Sequence, residues 1–154
     1  MMNGTLATSG VLAAAAALAA AGCGGGGNTP LTKAEYADKV DNLCAAAQAK
    51  GKSLDLSSLS KIARSGTEAK GILNELANKV DNLEPPDEVT DSAKSFVDGL
   101  KKEANEIGEL SKAAKNADVA KIQEIEGKLQ SQIAATSEDA RFIGATGCAR
   151  LFTS

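Results

Sequence analysis

The chain has 154 residues, 17 basic and 20 acidic side chains, no histidine and a formal net charge of −3. Without histidine, Ser-His-Asp and Cys-His catalysis and imidazole-ligated zinc are excluded. The mixed, mildly acidic charge also lacks the clustered basic face that nucleic acid demands.

The chain opens with an uncharged segment and an alanine-rich apolar run from Val11 that ends in Ala20-Ala21-Gly22-Cys23, followed by Gly24 to Gly27. The run is roughly ten residues long, the length of a signal-peptide core and short of the roughly twenty needed to span a bilayer. Small residues before a cysteine resemble the lipobox of bacterial lipoproteins, although Ala20 stands where leucine is usual and no Lys or Arg precedes the run. That resemblance implies cleavage after residue 22 and a diacylglyceryl thioether on Cys23. An exported protein with an unmodified Cys23 is the alternative. Residues 1–22 are thus expected to be a signal peptide, and 23–30 a lipidated cysteine with a glycine-rich tether. Two or more acyl chains hold stably, because each buried methylene contributes about 0.8 kcal/mol. The first 22 residues carry no charge, so the mature chain keeps the net charge of −3.

Residues 31–154 read as one helical domain, of a length that suits a single modest core. Thr32 and Glu35 form a capping-box pattern, with Leu31 placed to staple onto Tyr36. The first helix carries Tyr36, Val40, Leu43, Cys44 and Ala47 at helical spacing and ends at Gly51. The second starts near Ser57 or Ser58. Its heptad seam is Leu59, Ile62, Gly66, Ala69, Leu73, Leu76, Val80 and Leu83, and it stops at Glu84-Pro85-Pro86. A third runs from about Asp87 to Lys115-Asn116 with Val89, Ala93, Phe96, Val97, Leu100, Ala104, Ile107 and Leu110 inward. Asp118 caps a fourth, whose inward positions are Val119, Ile122, Ile125, Leu129, Ile133, Thr136, Ala140 and Ile143, and Gly144 and Gly147 punctuate its end. The expected fold is all-α, an antiparallel bundle of about four helices.

Gly66, Gly71, Gly99, Gly108 and Gly127 fall inside these helices, each costing about 0.8–1 kcal/mol against alanine unless it marks a close crossing. A core built largely of alanine and glycine is thin, so a covalent staple is valuable. With Cys23 assigned to lipid, Cys44 and Cys148 remain in an oxidising compartment, and a disulfide between them is the natural pairing. Two free thiols or a redox pair are the alternatives. The bond requires the Gly144–Gly147 segment to fold back, or the first helix to sit offset from the others.

Residues 35–43 and 75–83 agree at seven of nine positions, which two amphipathic helices rich in alanine and lysine reach by convergence. The Cys23 signal, the Thr32-to-Cys44 helix, the Pro85-Pro86 break and the Gly144-to-Cys148 segment together resemble small helical extracytoplasmic lipoproteins of high-GC Gram-positive bacteria. That resemblance brings no established activity with it.

Catalytic motifs are wanting. Gly66-Thr67-Glu68-Ala69-Lys70-Gly71 has the glycine spacing of a phosphate loop but lacks the Lys and Ser or Thr that follow, and it sits in a helix. Glu84, Asp87, Glu88 and Asp91 read as a solvated helix start rather than a calcium site. The expectation is a non-enzymatic interaction module, without cofactor or metal, lipid-anchored on the extracytoplasmic face of the cell membrane and docking an envelope protein. The alternative is a small carrier for a lipid or other apolar ligand. A contiguous apolar outer face favours the first, an internal apolar cavity the second.

Overall fold

A computed structural model of the chain describes residues 30–55 and 57–151; the segment expected to be a signal peptide, Cys23 and most of the expected tether lie outside the described residues. Among these residues the fold is all-α: α1 (Lys33–Gly51), α2 (Leu59–Asp81), α3 (Thr90–Lys115, entered through a 3-10 turn at Asp87–Val89), α4 (Val119–Ile143) and α5 (Thr146–Leu151).

The starts and stops follow local chemistry. Thr32 closes the capping box, its amide donating to Glu35 Oε2 at 2.9 Å and its hydroxyl oxygen accepting from the Glu35 amide at 3.3 Å. Leu31 packs with Tyr36 in the core, as a staple should. Pro85-Pro86 separates α2 from α3, and the Asp118 carboxylate accepts from the Lys121 amide at 3.0 Å to open α4.

α3 is the shared partner of both α2 and α4, which form the two most extensive interfaces. On the α2 side the pairing runs in opposed register, with position 66 against 111, 70 against 108 and 81 against 101. α1 and α5 pack on each other and close one end, α1 also against α2 and α5 against α4. That end holds the main core: Tyr36, Val40, Leu76, Val80, Phe96, Leu100, Ile143 and the two cysteines. A smaller cluster of Ala63, Ala113, Ala114, Ile122 and Ile125 fills the other end.

α5 answers the geometric problem posed by Cys44 and Cys148. Gly144 takes φ +96°, where a side chain would be strained, and its α-carbon lies beside Ala37 and Lys33 near the start of α1. The chain turns there and α5 runs along α1, so that Gly147 meets Asp41 and Cys148 reaches Cys44 with 5.3 Å between α-carbons. The fold-back is therefore the solution used, through a helix where only a punctuated end was expected.

Two expected inward positions are not inward. Leu59 is 40 % exposed and Val119 57 % exposed. Each is the first residue of its helix, where the stripe has run past the partner that would cover it. The interior glycines divide into two kinds. A β-carbon at Gly66 or Gly99 would collide with the neighbouring helix, whereas one at Gly71 or Gly127 meets nothing within 4 Å. Gly71→Ala and Gly127→Ala are each expected to stabilise the chain by about 0.5–1 kcal/mol, read as a higher urea midpoint with unchanged slope.

Candidate functional site

Among the described residues, a groove with mostly apolar walls and a volume of about 390 Å3 lies where α1, α2, α3 and α5 converge. Ala47, Gln48 and Gly51 of α1 form one wall and Ile72, Leu73 and Leu76 of α2 the other; Ile107, Leu54 and Leu151 complete it, with Cys44 at its base. Of these, Ala47, Leu54, Ile72, Leu73, Ile107 and Leu151 are only half-buried, so their apolar surface faces water within the groove. Cys44, which bonds Cys148 of α5, and Leu151 of α5 both line it. The fold-back thus supplies part of its wall.

Its frame is rigid. The Asp41 carboxylate accepts from the Gly147 amide at 3.1 Å and from the Cys148 amide at 2.7 Å, capping α5 from a residue more than a hundred positions away. Ser137 Oγ donates to the Ala149 carbonyl at 3.1 Å, fixing α5 to α4. Beside the groove, Glu75 joins Lys50 of α1 at 2.6 Å and Lys79 of its own helix at 2.7 Å. Hydrogen bonds from Lys50 and then Lys79 hold the Glu75 carboxyl down at about 2. The arrangement bridges α1 and α2 through exposed charges, so it sets rim polarity more than stability.

The remaining exposed large apolar side chains, Leu59, Val119 and Phe142, are spread over helix ends and form no continuous face with the groove. Scattered apolar residues of this kind are ordinary surface.

Other candidates resolve into structure. Tyr36 is 1 % exposed and part of the main core, and burial, followed by the Asp81 charge, pushes its phenol up. Gly66–Gly71 lies wholly within α2. Glu84, Asp87, Glu88 and Asp91 are exposed around the α3 start. Among the described residues no three His, Cys, Asp or Glu side chains gather into a metal-binding group, and no helix is long and apolar enough to cross a membrane.

Cys44 and Cys148 are brought together, whereas Cys23 lies outside the described residues. Sequence reasoning missed Asp41, whose role depends on α5, and Glu103, which is 2 % exposed between α3 and α4. The spacing of Glu103 one turn before Ile107 placed it beside the expected inward face of α3, the one sign available in the sequence. The chain matches no family model, no curated protein and no solved structure.

Proposed function

We propose that the chain is a lipid-anchored, extracytoplasmic binding module of the cell envelope, non-catalytic, and that the groove between α1 and α2 is where its partner docks. The carrying observation is the set of six half-buried apolar side chains lining one groove, apart from the exposed Leu59, Val119 and Phe142. Residues of this kind gain contact area when an apolar anchor of a protein partner fills the space between them, which is how a few side chains carry most of an interface. The lipobox-like segment ending in Cys23 supports anchoring.

A carrier reading draws on the same volume, about 390 Å3, which suits a small apolar ligand. Carriers enclose most of their ligand, and a groove with so many half-buried walls favours docking instead.

Two measurements test the proposal. Cys23→Ala is expected to move the protein from the detergent phase to the aqueous phase; unchanged partitioning defeats the anchor. A photo-crosslinker at Gln48, exposed on the groove wall, is expected to trap an envelope protein in intact cells. A co-purifying lipid in native mass spectrometry, with no protein crosslink, would establish the carrier reading in its place.

A further inference from the structure

The α3–α4 seam contains two carboxyl groups in a place where carboxylates are poorly served. Glu103 is 2 % exposed, Glu106 stands one helical turn further along α3, and Glu103 Oε1 and Glu106 Oε2 are both buried without a hydrogen-bond donor among the described residues. The polar groups across the seam are already engaged. The Thr136 hydroxyl lies 3.0 Å from the Gln132 carbonyl as its donor, and the Gln132 side-chain amide donates to the Thr136 hydroxyl at 3.4 Å. Thr136 has one hydrogen, which serves the Gln132 carbonyl or Glu103 but not both. Gly99 makes the arrangement possible, because a β-carbon there would stand 2.5 Å from Thr136 Oγ1.

The charged groups around the pair do not neutralise it. On α4, Lys128 feels Glu106 electrostatically but is bonded to Glu124 at 2.6 Å. On α2, Lys70 lies against Gly108, two residues beyond Glu106, and its charge acts on Glu109. Asp139, one turn beyond Thr136 on α4, is another acid held up by burial and by Glu138. α1 and α5 make their main contacts with each other and with α2 and α4.

We propose that Glu103 and Glu106 are a proton-held clasp on the α3–α4 seam, closed when Glu103 carries a proton and loosened when both carboxylates are ionised. A neutral carboxyl supplies the hydrogen the seam lacks, and two adjacent ionised carboxylates without donors repel each other in a desolvated space. Desolvation, with the Glu106 charge adding to it and Thr136 opposing it, raises the Glu103 carboxyl from its usual 4.5 to about 7.

The sign follows from a folded value above the unfolded one. The folded chain holds the proton more tightly, so the benefit of protonation is complete below pH 4.5, is lost as pH rises, and is gone above pH 7. From well below pH 4.5 to well above pH 7 the folding equilibrium constant is expected to fall roughly 300-fold on account of this one group.

The test is urea unfolding of the full chain in detergent from pH 4.5 to 8, for the wild type and Glu103→Gln. The wild type is expected to lose stability relative to E103Q by roughly 150-fold over that range, and hydrogen exchange along residues 129–137 of α4 is expected to quicken beyond its intrinsic pH dependence in the wild type alone. Parallel stability profiles for the two proteins would overturn the proposal, as would exchange confined to global unfolding. If E103Q does not fold, carbon-detected titration of Glu103 in the wild type decides. A midpoint near 7 supports the clasp, and one below 5 removes it.

Discussion

Replacing both Cys44 and Cys148 with alanine is expected to cost roughly 4–5 kcal/mol in the chain-entropy limit. The two residues are 104 positions apart, so the bond constrains nearly the whole folded domain, and the cost of closing so long a loop is met once, covalently. A local argument points the same way. α5 has six residues, far below the length at which a helix persists alone in water. It is held by the disulfide, by the Asp41 carboxylate on two of its amides and by Ser137 on its Ala149 carbonyl. Without the bond, α5 depends on those hydrogen bonds and on the packing of Ala145 and Ala149. Its release would uncover Tyr36, Val40 and Ile143, which are 1 % exposed or less, and would remove Leu151 from the groove. Urea unfolding of the double variant beside the wild type measures the loss, and alkylation should label neither thiol of the wild type before reduction. A difference under about 1 kcal/mol would mean that α5 is held by packing alone and that the long-loop argument of chain entropy does not apply here.

What was legible in the sequence was what neighbours in sequence decide. The Thr32–Glu35 box, the Asp118 cap and the Pro85-Pro86 break each act within four residues, and each stands where expected. The pairing of Cys44 with Cys148 was legible by elimination. α5 was not, because its cap is Asp41, which only the tertiary fold delivers. The heptad reading gave α3 one stripe, ending in Leu100, Ala104, Ile107 and Leu110. A helix shared by two neighbours needs two faces: Ser111 meets Gly66 and Ala63 of α2, whereas Gly99 and Glu103 meet Thr136 of α4. None of Ser111, Gly99 and Glu103 advertises a core position by its hydropathy. The echo between residues 35–43 and 75–83 is consistent with convergence. Val40 and Val80 are both in the core, yet Asp41 caps α5 while Asp81 pairs with Lys101 at 3.1 Å. The groove was unreadable for a related reason: its walls are ordinary inward residues of α1 and α2, joined by Leu151 of the unforeseen α5.

The close crossing of α2 and α3 gives the other large effect. Gly66 is buried, and a β-carbon on it would stand 2.6 Å from Ser111 Cβ and 3.0 Å from Ser111 Oγ. The first distance is to an atom fixed by the α3 backbone, so no side-chain rotation relieves it. Gly66→Leu is expected to cost about 3 kcal/mol, at the upper end of overpacking penalties, by forcing α2 away from α3. The displacement also breaks the hydrogen bond from Ser111 Oγ to the Ala63 carbonyl at 3.1 Å, leaving a buried hydroxyl without its partner. Gly66→Ala isolates the steric part: helix propensity favours it by about 0.8–1 kcal/mol, and the collision must exceed that for the change to destabilise. Adding Ser111→Gly to Gly66→Ala should return a measurable part of the loss, because it removes the atoms struck, and the double-mutant cycle reads that coupling directly. Gly127→Ala, with nothing within 4 Å, is the control that carries the propensity gain alone. Should Gly66→Ala stabilise as much as Gly127→Ala, α2 and α3 would be free to separate, and the second glycine contact, Gly99 against Thr136, would have to hold α3 in place without it.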